Sequence, residues 1–190
     1  MQERGVRAER PDHQSMTLDW ITTGAFVAIL ATAACLDVRT GRIPNFLTLG
    51  GLILGLLLQA VTGIDAAAHG VLGAGLALLV ALPFFAARAL GGGDAKLLVV
   101  VGAFMGEGRL VGALLLIAVL GGLIAIIEAV RRGVIVPVVL NSVDMMKRWV
   151  TLGQKGTQRS LSSPGAVSIP YGVAIALGAI GWWFWGGNVL

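Results

Sequence analysis

Apolar residues run through the chain in long stretches that short polar segments separate. A helix needs roughly 20 apolar residues to span the hydrocarbon core of a membrane, and most of the stretches approach that length. The fourth is shorter, because at 1.5 Å per residue it covers only about half of a roughly 30 Å core. The pattern predicts an all-α, polytopic membrane protein with six transmembrane helices, at about 18–36, 46–61, 66–87, 95–105, 110–130 and 167–185.

Two polar regions outside these stretches complete the predicted organisation. Residues 1–17 mix Arg with Glu and Asp, which predicts a flexible tail ahead of one membrane domain at 18–190. The tail lacks the net positive charge of a signal peptide, and either Met1 or Met16 can be the start. Between the last two stretches, apolar residues recur at helical spacing over 143–150. They predict an amphipathic helix on the membrane surface, with a simple loop as the alternative.

The composition agrees with a membrane protein. Of 190 residues, 56% are hydrophobic and 13% are charged, and the mean hydropathy of +0.86 lies outside the usual range of soluble domains. A single cysteine excludes an intramolecular disulfide, and two distant histidines indicate no metal site, so we expect no cofactor. The net charge of +4 does not indicate a nucleic-acid partner, because the basic residues lie between the apolar stretches.

The distribution of Lys and Arg predicts the orientation in the membrane. The first, third and fifth connections carry most of the basic residues, the second has none, and the fourth has Arg109 alone. Cytoplasmic loops accumulate Lys and Arg, so both termini are predicted on the periplasmic or extracellular side. The same arrangement places Asp37 and Asp94, which lie in or beside the first and third connections, near the cytoplasmic face.

These two carboxylates are the candidate chemistry. Asp94 follows three glycines and precedes an apolar stretch, and Asp37 begins a polar segment that ends at Asn45. Charges at membrane depth usually face a protein interior or a water-filled cavity, which suggests an acid/base pair. Asp94 as a helix N-cap and Asp37 as a charge paired with Arg39 are the structural alternatives. A cap needs no run of glycines, whereas a close approach of backbones does.

Two motifs carry a family resemblance. The segment Asp37-Val-Arg-Thr-Gly-Arg-Ile-Pro-Asn45, together with Gly91-Gly-Gly-Asp-Ala-Lys-Leu-Leu98, resembles the prepilin peptidases, or type IV leader peptidases. These are membrane aspartic proteases with a Gly-x-Gly-Asp motif. The resemblance extends from about Leu18 to Gly178 and includes Ile169-Pro-Tyr-Gly172.

The resemblance implies an endopeptidase of the bacterial inner membrane that cleaves the leader of type IV prepilins at the cytoplasmic face. Asp37 and Asp94 would form its catalytic dyad. The implied partners are the prepilin, the lipid bilayer and the pilus assembly machinery. Because Asp94 would lie at a helix N-terminus and Asp37 at a helix C-terminus, helix dipoles predict Asp94 as the initial carboxylate and Asp37 as the acid.

The resemblance also implies residues that support the dyad or bind substrate. Glycines near Asp94 would let a substrate strand pass close to the backbone, with helix packing as the alternative. The lysine that follows would bind an acidic pilin residue, with a membrane anchor as the alternative. The complete set is Arg39, Pro44, Asn45, Gly91, Gly93, Lys96, Pro170 and Gly172.

Larger prepilin peptidases carry an additional domain with paired cysteines that is associated with N-methylation of the mature pilin. This chain has one cysteine and resembles the short form that serves tight-adherence (Flp-type) pili, so we expect no methyl transfer. Two other functions stay open. An ion- or proton-coupled transporter would line its route with Asp37, Asp94, Lys96 and Glu128. A noncatalytic scaffold of pilus assembly would tolerate loss of both aspartates.

Overall fold

The computed structural model describes residues 13–87, 89–131 and 171–186, and every regular element in these ranges is a helix. This confirms the all-α prediction for that part of the chain. The helices are α1 (His13–Thr40), α2 (Asn45–Thr62), α3 (Ile64–Ala86), α4 (Gly92–Arg131) and α5 (Tyr171–Trp185). The amphipathic helix predicted over 143–150 lies outside the described residues.

Among the residues that the structure describes, four helices, α1 to α4, are long and apolar enough to cross a membrane, and α5 is a shorter apolar helix of 15 residues. The membrane class is therefore supported, and the six predicted crossings are not confirmed by helix length and composition, which identify four candidate spans among the described residues. The difference arises mainly in α4, which joins the fourth and fifth predicted stretches into one helix of 40 residues.

The first helix is longer than predicted at both ends. It begins at His13, inside the segment predicted as a flexible tail, and it continues past Asp37 to Thr40. Gly41 ends it by adopting a positive φ of 62°, and the Gly41 N–H donates to the Asp37 carbonyl oxygen at 2.8 Å. This is a common way for glycine to terminate a helix. Asp37 consequently lies in the last helical turn and not in the connection.

Gly106 divides α4 into two parts, because its φ of 69° and ψ of 170° are not helical. The Tyr171 hydroxyl lies against Gly121, and Tyr171 is also within electrostatic reach of Asp94. In a straight helix, 27 residues would separate Asp94 from Gly121 by about 40 Å. The two parts of α4 therefore run in opposite directions, and the second part returns toward the end where the first began.

Close helix contacts surround the first part of α4. On the α3 side, a Cβ added at Gly73 would fall on the backbone of Gly102 and Gly106, so these two helices touch through their main chains. On the α2 side, the Phe104 ring fills the space that a side chain at Gly55 would need. Small residues let helices approach this closely without a hydrophobic driving force between them.

The last helix, α5, packs between α1 and the second part of α4. Gly178 lies against the backbone of Ile117, and the Trp183 ring stacks 4.7 Å from the Phe26 ring of α1. These contacts bring the end of α1, the α3–α4 connection and the start of α5 to the same end of the bundle. Both predicted aspartates lie at that end.

Candidate active site

A cavity of about 280 Å³ at this end contains both aspartates in its wall. Its lining comes from the last turn of α1, the α1–α2 connection, the α3–α4 connection and the first turn of α4. The lining residues are Asp37, Gly41, Arg42, Ile43, Gly91, Gly92, Gly93 and Asp94. The fold therefore brings together two carboxylates that lie 57 positions apart in the sequence.

Asp37 is held by the N-terminus of α5. Its Oδ2 atom accepts a hydrogen bond of 2.9 Å from the N–H of Gly172, which lies 135 positions later in the chain. A Cβ at position 172 would lie 2.9 Å from Oδ2 and 3.1 Å from Cγ of Asp37, so a side chain there displaces the carboxylate. An N–H at a helix start also suits an anion, because the helix dipole is positive there.

Asp94 lies in the first turn of α4, close enough to Asp37 for the two carboxylates to interact electrostatically. Its Oδ1 atom is buried and has no hydrogen-bond partner within the described part of the protein. Buried polar atoms are normally paired, and an unpaired one is costly. This oxygen is therefore available to a water molecule or to a polar group of a substrate.

The structure removes the reason for predicting which of the two aspartates is the initial carboxylate and which is the acid. The predicted order rested on Asp37 meeting only the C-terminal end of α1. Asp37 also meets the N-terminus of α5 through Gly172, so both aspartates lie at helix starts. The dipole argument consequently no longer separates them. The assignment of the acid and the base within the pair therefore stays a prediction.

Three of the predicted supporting residues contribute to this arrangement. Gly91 and Gly93 line the cavity, and a Cβ at Gly93 would lie 3.1 Å from Cβ of Ile43 in the opposite wall. Gly172 supplies the hydrogen bond to Asp37. These glycines allow close approach of the cavity walls, and substrate passage along Gly91 and Gly93 stays a prediction.

The other predicted supporting residues are placed differently. The Lys96 ammonium donates a hydrogen bond of 2.8 Å to the Asn45 side-chain oxygen, which ties the start of α4 to the start of α2. Pro44 precedes α2 with a φ of −65°, and Arg39 is exposed. None of these four residues lines the cavity. Pro170 lies outside the described residues.

Sequence reasoning missed several residues of the site. Gly41, Arg42, Ile43 and Gly92 line the cavity without having been selected, although all four lie inside the two quoted motifs. Tyr171, which lies within electrostatic reach of Asp94, was also missed. The motifs that contain these residues were identified in the sequence. The spacing of charged residues alone does not show which of their neighbours line a cavity.

Comparison with known proteins connects this site to a family. The sequence profile of the type IV leader peptidase family matches residues 24–126, a range that includes both aspartates and every residue that lines the cavity. A similar protein is the prepilin leader peptidase/N-methyltransferase of Myxococcus xanthus (strain DK1622), which is 27% identical over 124 residues.

The alignment covers 62% of this chain and 37% of the Myxococcus protein, so it spans little more than a third of that relative. No solved structure matches the chain at a significant level. The family match extends over more than half of the 190 residues and includes Asp37, Asp94 and the cavity that they share. This chain is therefore a member of the type IV leader peptidase family.

Proposed function

We propose that this chain is an aspartic endopeptidase that removes the leader peptide of type IV prepilins, with Asp37 and Asp94 as its catalytic dyad. The observation that carries the proposal is the shared cavity, to which the two carboxylates come from separate helices. The family match and the name of the Myxococcus relative support the substrate class. The test is cleavage of a type IV prepilin by membranes containing this chain, compared with membranes that lack it.

The chemistry follows from two carboxylates in one site. Like charges so close together cannot both ionise easily, so the pair holds one proton. The ionised member removes a proton from a water molecule, which attacks the scissile carbonyl, while the protonated member donates a hydrogen bond to the carbonyl oxygen. The intermediate collapses as the aspartate that took the proton from water passes it to the leaving amine, which returns the dyad to its starting state. No covalent bond to the enzyme forms.

We further propose six membrane crossings, with the site near the cytoplasmic face and both termini on the opposite side. The reversal of α4 at Gly106 divides this helix into two antiparallel parts, and α5 adds a further antiparallel segment. Three exposed basic residues, Arg39, Arg42 and Lys96, lie at the cavity end, as the positive-inside rule predicts for a cytoplasmic face.

This orientation predicts the labelling of single cysteines in a Cys35→Ala background. Asp65→Cys, at the start of α3, will react with a membrane-impermeant maleimide added outside intact cells or spheroplasts. Arg39→Cys, at the cavity end, will react only after the membrane is permeabilised. Both positions are exposed, so access to solvent is matched. The reverse pattern would place the cavity on the outer side and contradict the proposed orientation.

We also propose that the preferred substrates are Flp-type prepilins and that processing by this chain occurs without methyl transfer. The support is the single cysteine of this chain together with the resemblance, which associates paired cysteines with N-methylation. The cleavage assay tests both statements when a Flp-type prepilin is compared with another type IV prepilin and the product is analysed by mass spectrometry. A mass increase of one methyl group on pilin processed by this chain alone would contradict the second statement.

Replacing Gly172 with Ala tests the geometry around Asp37. The added methyl group would lie within 3.1 Å of the Asp37 carboxylate and displace it, so we expect cleavage to fall by up to about 100-fold. Gly181→Ala on the same helix is the control, since its Cβ would meet only a side-chain atom of Leu116 at 3.4 Å. Cleavage rates per amount of protein in the membrane decide the comparison. Equal activity of both variants would show that Gly172 does not position the Asp37 carboxylate for cleavage.

A further inference from the structure

Tyr171 is the first residue of α5 and immediately precedes the glycine that holds Asp37. The side chain is half-buried, and its hydroxyl lies against Gly121 in the second part of α4. A Cβ at Gly121 would lie 2.9 Å from the hydroxyl oxygen and 3.0 Å from Cζ. Position 121 therefore accommodates this hydroxyl only because it has no side chain, whereas the neighbouring Gly122 faces open space.

The contact between Tyr171 and Gly121 fixes the N-terminal end of α5, which holds Asp37. Tyr171 and Gly172 belong to the same helical turn, so a displacement of the tyrosine ring also moves the Gly172 N–H relative to Asp37. Tyr171 is in addition within electrostatic reach of Asp94. One turn of helix thus contacts the first aspartate through its backbone and lies beside the second through a side chain.

We propose that Tyr171 is a positioning residue of the dyad: its hydroxyl, seated on Gly121, sets the place of the first turn of α5 and so the hydrogen bond from Gly172 to Asp37. The inference rests on the proposed peptidase function. A purely packing role would need only the aromatic ring, so Tyr171→Phe would then leave kcat unchanged. The glycine and the hydroxyl are therefore a matched pair.

The test compares Gly121→Ala with Gly122→Ala, which add the same methyl group to adjacent positions of the same helix. We expect Gly121→Ala to lower kcat for prepilin cleavage by about 100-fold, because small misplacements of catalytic groups have effects of this size. KM should change little, since the cavity walls from the α1–α2 and α3–α4 connections stay in place. Gly122→Ala should cleave like the wild type, because its Cβ meets nothing within 4 Å.

Adding Tyr171→Phe to Gly121→Ala removes the oxygen that the new methyl group would meet, and we expect partial recovery of kcat. Recovery is incomplete because the approach to Cζ at 3.0 Å remains. Tyr171→Phe alone should lower kcat less than Gly121→Ala does, again without a large change in KM. If Gly121→Ala does not accumulate in membranes, the kcat of Tyr171→Phe alone decides the test.

Three outcomes would overturn the inference: kcat of Gly121→Ala equal to that of Gly122→Ala, a loss that Tyr171→Phe does not relieve, or a Tyr171→Phe variant with unchanged kcat. The wild type and Asp37→Asn are assayed in the same membranes to separate this result from a failure of the proposed function. Cleavage by the wild type with no difference between the glycine variants rejects the positioning role alone. Absence of cleavage by the wild type rejects the peptidase function and the inference with it.

Discussion

Asp37→Asn and Asp94→Asn are each expected to lower the rate of prepilin cleavage by about 100- to 10,000-fold, the range in which general acid/base groups contribute. Asparagine preserves the size of the side chain and removes the ionisable group. The remaining carboxylate can then neither share a proton with its partner nor supply both the base and the acid. Cleavage of a radiolabelled or epitope-tagged prepilin in membranes measures the effect.

Asp65→Asn is the matched control, because Asp65 is an exposed aspartate at the start of α3, the end of that helix remote from the cavity. It should cleave like the wild type, and all three variants should reach the membrane in similar amounts. Substantial cleavage by either single variant of the dyad would contradict the aspartic mechanism. Such a result would favour the transporter or the scaffold, in which the family fold serves another purpose.

Gly73→Ala is expected to have the largest effect on stability. The added Cβ would fall on main-chain atoms of Gly102 and Gly106, and a backbone cannot move aside as a flexible side chain can. Helices α3 and α4 would have to separate along their contact, at a cost of about 1–3 kcal/mol or more by comparison with overpacked cores. Thermal unfolding of the purified protein in detergent should show a lower midpoint than that of the wild type.

Gly75→Ala provides the control on the same helix. Its Cβ would meet nothing within 4 Å, and alanine is a better helix former than glycine. The midpoint should therefore stay the same or rise slightly. A Gly73→Ala protein as stable as Gly75→Ala would mean that the two helices do not touch at this position, and the described packing of α3 on α4 would be wrong.

The hydropathy pattern predicts the helices well where the apolar stretches are long. The predicted start and end of the second stretch, 46 and 61, differ by one residue from those of α2, since Asn45 and Thr62 are polar residues at the ends of an apolar run. The pattern is less accurate for α1, because a helix does not end where hydropathy falls. It ends where Gly41 adopts a left-handed conformation, four residues beyond Asp37.

The candidate site was only partly predictable from the sequence, because carboxylates are conspicuous there and glycine contacts are not. A carboxylate in an apolar sequence is conspicuous, so Asp37 and Asp94 are identifiable from the chain alone. A glycine gives no comparable indication of its partner. Gly172 and Gly121 contact Asp37 and Tyr171 across long stretches of sequence, and these contacts depend on how α5 packs between α1 and α4. The helix dipole at Asp37 could not be evaluated without that packing.

The sequence by itself predicted that the described part of the chain is helical and suited to a membrane, and it identified the two carboxylates and the motifs that contain them. Those properties are local, because they depend on the transfer of each segment from water to lipid and on the cost of a charge in that setting. Only the tertiary structure decided that α4 reverses at Gly106, that α5 donates a backbone hydrogen bond to Asp37, and that Asp37 and Asp94 share one cavity. Close contacts between helices decide these features, and such contacts are made largely through glycines, which leave no hydrophobic or polar pattern along the chain.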